Sequence, residues 1–178
     1  MNKNRLTSFI DAVLAIAMTL MVFNLKAPKT FDFAGFWDLR TQFFAYALSF
    51  FWLGTMWVNL HNEWDKVSSI RRKTVWLSLI MLFFSSLFPY ATLLVSDQFD
   101  NRSVQFFYGC IVLGVTLSNT ALYRSIGLRK TSFFIRFDIV AKVLALGISI
   151  LFFPAAFMIV MLLLGIYWVS YQLKEEKL

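Results

Sequence analysis

Ionisable side chains inside apolar runs are the first feature to explain, because a charge in hydrocarbon is costly and marks a functional site by default. Asp11 stands within the run from Arg5 to Leu25, Asp138 and Lys142 within the run that ends before Pro154, and His61 at the end of the run that starts near Arg40. Such groups can meet a cation, carry a proton or brace one helix against another. Asp138 and Lys142 are spaced i, i+4, which lets them pair and lowers the cost of burial, so they read as structural. His61 reads as structural support, with pH sensing as the second reading because an unperturbed imidazole titrates near ~6.5. Glu63 and Asp65 follow the second run and read as solvated.

These residues do not make an enzyme. His61 is the only histidine, so no multi-histidine metal site can form within one chain, and there is no nucleotide loop, hydrolase triad or zinc-ligand spacing. No cofactor and no metal site is expected. Cys110 is the only cysteine, which excludes an intrachain disulfide, and it reads as a small buried residue.

The elements that carry these groups follow from composition. Of 178 residues, 59% are hydrophobic, 19% aromatic and 15% charged, and the mean hydropathy is +0.67. A soluble domain carries roughly 25% charged residues. Long apolar runs divided by short charged loops indicate an all-α integral membrane protein, and the alternation of a barrel strand is absent. Six transmembrane helices are expected in one domain covering 1–178, at about 5–25, 40–61, 74–96, 104–124, 136–152 and 155–173. Pro154 divides the last apolar stretch in two, since proline cannot continue a helix comfortably. The first run does not read as a cleavable signal peptide, because it holds Asp11 and exceeds the ~7–15 residues of a signal h-region.

Charge sets the expected orientation. Lys3, Arg5, Lys66, Arg71, Arg72, Lys73, Arg124, Arg129, Lys130, Arg136, Lys174 and Lys177 fall on the side of the termini, against Lys26, Lys29, Arg40 and Arg102 opposite. The positive-inside rule then places both termini in the cytoplasm of a multi-pass plasma-membrane protein. This asymmetry also accounts for the net charge of +7 without nucleic acid as a partner. Arg71-Arg72-Lys73 reads as a topology signal that also meets anionic lipid. The aromatic and charged loop Pro28–Asp38 suits the outer interface. Ala141, Ala145 and Ser149, like Gly114, Ser118 and Ala121, line faces suited to close helix approach.

On the first helix, Ala12, Ile16, Leu20 and Phe23 fall within an arc of about 80°, with Thr19 at its edge, while Asp11 points about 140° from Ile16. One face is apolar with a hydroxyl beside it; the other turns an acid toward neighbouring helices. Periodicity alone leaves the apolar face open to ordinary lipid or core packing, and leaves Asp11 open to satisfying free amides of the first turn. If Asp11 is buried it needs a partner, for which His61, Arg136 and Lys142 are the candidates on other helices. Arg5 is a poor one, because i, i+6 spans about 9 Å of rise.

The pattern Arg5-x-x-x-Phe9-x-Asp11-Ala12, then Ala15-Ile16 and Thr19-Leu20, resembles the first-helix signature of the transmembrane protein 175 family of endosomal and lysosomal potassium channels and their bacterial homologues. Ser49-Phe50, Gly54-x-x-Trp57-x-x-x-His61 and Phe88-Pro89-Tyr90 resemble its second and third helices. The resemblance implies a homotetramer of six-helix subunits with the first helices around a pore for K+, possible also for other monovalent cations or protons. It implies Ile16 as the main constriction, Leu20 and Phe23 stacked toward the outside, and Thr19 as a pore-lining hydroxyl. It also implies a polar network of Arg5, Phe9 and Asp11, with His61 supporting the Asp11 region. Two positions depart from the family pattern: Ile10 stands where serine is usual, and Phe23 where an aliphatic residue is usual. No T-V-G-Y-G filter and no arginine-rich voltage-sensing helix occur. Two other classes stay open: a proton-coupled secondary transporter in which Asp11 titrates, and a non-conducting membrane interaction protein docked through its small-residue faces.

Overall fold

A computed structural model describes residues 2–64, 67, 70–127 and 132–175, with side chains described except at 132–134 and 171–175. Asp65, Lys66, Arg129, Lys130 and Lys177 lie outside the described residues. The elements are α1 (Lys3–Leu20), continued by a 3-10 turn (Met21–Asn24), then α2 (Phe33–Asp38), α3 (Arg40–Trp64), α4 (Arg72–Ser86), α5 (Phe88–Asp97), α6 (Arg102–Ser125), α7 (Ser132–Leu151) and α8 (Ala156–Glu175). Among the described residues, four stretches are long and apolar enough to cross a membrane: Lys3–Asn24, Arg40–Trp64, Arg72–Asp97 and Arg102–Ser125.

Local chemistry sets several boundaries. The Asn2 side chain accepts from the Asn4 N–H, and the Asn101 side chain accepts from the Ser103 and Val104 N–H groups, so each caps donors that an α-helix leaves free. The stretch expected as one helix over 74–96 is two, α4 and α5. Pro89 has no N–H to continue the ladder, and α4 ends at Ser86, capped by Leu87, whose N–H turns back to the Phe84 carbonyl at 3.2 Å. At the second proline, Ser149 Oγ donates to the Pro154 carbonyl at 2.6 Å in the bend between α7 and α8.

α1 lies against α4 and α3, α6 against α4, α7 and α5, and α3 against α5 and α8. Lipid tails are as apolar as leucine, so these contacts rest on close fit and polar contacts more than on water exclusion. Gly114 shows the fit: a Cβ there would lie 2.5 Å from Phe84 Cδ1, so the small-residue face of α6 receives an α4 ring. A run of rings joins four helices: Trp52 stacks on Phe88 at 5.1 Å, Phe88 meets Tyr108 at 5.5 Å, and Tyr108 meets Phe157 at 6.0 Å. Two single-residue expectations change. Glu63 is buried rather than solvated, because α3 runs on to Trp64 and carries both into the core. Cys110 is exposed on α6, one position outside the inward-facing Gly109 and Ile111.

The segment Pro28–Asp38 is not irregular throughout. The Asp32 carboxylate accepts from the Gly35 N–H and the Thr30 hydroxyl, both at 2.8 Å, and nucleates α2. A Cβ on Gly35 would collide with the Thr30 carbonyl, so this approach requires glycine. The Gly35 N–H first, then the Thr30 hydroxyl, holds the Asp32 carboxyl below its ordinary value. A depressed acid contributes stability above its unfolded value of about 3.9 and loses it as pH falls through the lower folded value. Hydrogen exchange at Gly35, corrected for its intrinsic rate, should therefore stay slow at pH 5 and quicken only in strong acid, whereas Asp32→Ala should be fast at both.

Candidate functional site

The first helix has two unlike faces. Leu6, Ile10, Leu14, Ala17 and Met21 recur every three or four residues and are buried against the neighbouring helices. On the opposite side a stripe is uncovered: Phe9 is 48% exposed, Ile16 59%, Leu20 47% and Phe23 81%. Ala12, Ala15 and Thr19 are exposed between them. Of the four membrane-length stretches this one is the least covered, 28% of its window being buried against 50% in Arg72–Asp97. Thr19 Oγ1 donates back to the Ala15 and Ile16 carbonyls at 3.0 and 2.9 Å. A hydroxyl that donates into its own helix presents oxygen lone pairs outward, where a cation can meet them.

Asp11 lies off this stripe and is held from α3, where Trp57 Nε1 donates to Asp11 Oδ1 at 2.8 Å. The His61 ring lies 5.6 Å from the Trp57 ring, tilted by 30°, one turn further along α3. His61 therefore reaches Asp11 through Trp57, not by a bond of its own. Arg136 and Lys142, the other candidates, sit on α7, whose principal neighbours are α6 and α8. Lys142 already bonds Asp138 at 2.6 Å and Thr116 Oγ1 at 3.1 Å. An indole N–H near a membrane interior needs an acceptor, and this was the available signal for Trp57. Arg5 is exposed on the uncovered side with Phe9, and no hydrogen bond or ion pair reaches it among the described residues. Ile10, one of the two departures from the resembled pattern, is buried in the core.

The C-terminal end of the first helix has a second fixing that sequence spacing did not indicate. Asn24 Nδ2 donates to the Pro89 carbonyl of α5 at 2.9 Å, and Lys26 Nζ meets Asp97 Oδ1 at 2.7 Å. Met21 touches a buried polar chain at the same level, in which Thr92 donates to Ser49 at 2.9 Å and Ser49 bonds Tyr108 at 2.9 Å. Asn24→Leu should destabilise the protein by about 1 kcal/mol through loss of a part-buried bond. Lys26→Ala, at an exposed pair, should change stability by well under ~1 kcal/mol. Thermal unfolding in detergent compares the two, and a larger effect at Lys26 would contradict this ranking.

The sequence pattern of the family described as "Endosomal/lysosomal potassium channel TMEM175" matches residues 5–89, which contain the uncovered stripe, Asp11 and Trp57. Over this stretch, just under half of the chain, the sequence is similar to that family. A potassium channel of Chryseobacterium sp. is 39% identical over 92 residues, 52% of this chain and 48% of that protein. One from Streptomyces collinus is 30% identical over 132 residues, 69% of this chain and 64% of its own length. The matched part of this chain thus spans from about half to under two thirds of those relatives. The crystal structure of a lysosomal potassium-selective channel TMEM175 homolog from Chamaesiphon minutus shares the fold, with a TM-score of 0.86 over 95% of this chain and 97% of that one at 21% identity. The chain thus shares the helical fold of that channel homolog and, among the described residues, has four stretches long and apolar enough to cross a membrane.

Proposed function

We propose that this chain is one subunit of a homotetrameric, potassium-permeable cation channel in the plasma membrane, with the first helices lining a central pore. The observation that carries the reading is the uncovered apolar stripe of α1, whose opposite face is packed against its own subunit. Relatives named as potassium channels supply the permeant ion. Ile16 forms the narrowest apolar ring, Leu20 and Phe23 stack toward the outside, and Thr19 offers its oxygen to a partly dehydrated ion. Passage is controlled by wetting of the apolar ring rather than by a filter of backbone carbonyls. Asp11, Trp57 and His61 set the tilt of the pore helix from within the subunit, while Arg5 and Phe9 meet the neighbouring copy.

The remaining topology is part of this proposal. α7 and α8 have 20 residues each, enough for about 30 Å of hydrocarbon. They complete six spans, α4 and α5 together counting as one, with both termini cytoplasmic by the positive-inside rule. Asp11 as a transporter's proton carrier is the weaker reading, because its carboxylate accepts a fixed indole N–H.

Native mass spectrometry and potassium flux from liposomes test the proposal together. Four copies with valinomycin-independent potassium release are expected; a monomer without flux would overturn it.

A further inference from the structure

A cavity of about 290 Å³ at the start of α4 is lined by Ile70, Arg71, Arg72, Val75, Trp76 and Leu79. Arg71 and Arg72 are exposed, and among the described residues no carboxylate pairs with either guanidinium. The walls change character along the helix. Arg72, Trp76 and Leu79 follow at i, i+4 and i+7, and Arg71, Val75 and Leu79 at i, i+4 and i+8, so both rows run from charge to apolar surface on one side of α4 over about 10–12 Å. Trp76 is 68% exposed, and Leu79, Ile80 and Phe83 continue the uncovered surface into the span.

We propose that this cavity binds an anionic phospholipid of the cytoplasmic leaflet, its phosphate held by Arg71 and Arg72 and its acyl chain laid along Trp76 and Leu79. The stratification matches a lipid layer by layer: guanidinium forks suit a phosphate, an indole suits headgroup depth, and aliphatic side chains suit the tail. A soluble anion would use the arginines alone and leave the apolar wall unexplained. Basic pockets at the cytoplasmic ends of membrane helices are suited to anionic headgroups, each cation near the surface contributing roughly 1 kcal/mol. The placement in the cytoplasmic leaflet rests on the topology proposed above; retention of lipid does not depend on conduction.

The full-length protein, purified in neutral detergent and titrated with phosphatidylglycerol or phosphatidylcholine, gives the test by native mass spectrometry. Phosphatidylglycerol should be retained over phosphatidylcholine, and Arg71→Gln/Arg72→Gln should weaken its retention by about tenfold or more. Arg71→Lys/Arg72→Lys, which keeps the charge and the topology signal, should retain an intermediate amount. Trp76→Ala should loosen the lipid while the number of subunits stays the same. Equal retention of the two lipids, or no loss in the glutamine variant, overturns the proposal. So does displacement of the lipid by millimolar inorganic phosphate, which would mark a soluble-anion site. A Trp76→Ala variant that breaks the oligomer with lipid retention unchanged would instead assign this face to a neighbouring copy. A protein that retains the lipid without conducting leaves this site standing and removes the channel reading.

Discussion

Replacing Ile16 by asparagine should raise potassium flux through reconstituted liposomes by on the order of tenfold, equivalent to about 1.4 kcal/mol off the barrier to passage. The side chain is 59% exposed on the uncovered stripe of α1, off the packed face. In the proposed ring of four copies an isoleucine excludes water, so an ion entering it must shed hydration without compensation. An amide lines the same space with donors and acceptors. Ile16→Ala, which widens the ring but keeps it apolar, should lie between the two. The variants should keep their oligomeric state and melting temperature, since none touches the packed face carrying Leu14 and Ala17. Flux equal to wild type in both variants would remove Ile16 as the constriction, even if the channel conducts.

The second large effect concerns stability. Lys142 is buried, bonded to Asp138 at 2.6 Å and to Thr116 at 3.1 Å, and lies 5.3 Å from the centre of the Trp52 ring. Lys142→Met alone should cost about 3–5 kcal/mol, because Asp138 would be left buried without its counter-charge. Asp138→Leu alone should cost a similar amount. The double variant should recover most of the loss, since paired removal of two buried charges is often neutral. Thermal unfolding of the four proteins in detergent gives the coupling energy directly. Additive losses would mean that the contact contributes little. Because the pair sits on α7, away from the α1 stripe, the double variant should keep wild-type potassium flux; a non-conducting, stable double variant would instead give the pair a part in permeation.

Much of the architecture was legible because membrane insertion imposes a length rule. Apolar runs near Arg5–Leu25 and Arg40–His61 had to be helices, and they are, as Lys3–Asn24 and Arg40–Trp64. The i, i+4 spacing of Asp138 and Lys142 was sufficient to pair them, since an isolated helix already puts those positions together. The same periodicity separated the two faces of α1, so the exposed Ile16, Leu20 and Phe23 stand where the helical wheel put them.

Contacts between helices were not legible in the same way. The partner of Asp11 lies 46 positions away, at Trp57, and nothing in the spacing of the first helix distinguishes that indole from His61. The Asn24 bond to the Pro89 carbonyl spans 65 positions and depends on α5 meeting the end of the first helix. Glu63 was read as solvated and Cys110 as buried, and both are reversed. For an apolar helix in lipid, composition does not tell the protein side from the lipid side, because both are apolar. The sequence by itself determined the membrane class, the helical periods and the local i, i+4 contacts, all of which follow from hydropathy and the geometry of one helix. Only the tertiary structure decided which face of each helix is covered, where the third stretch breaks and what holds Asp11, because those depend on how separate helices approach.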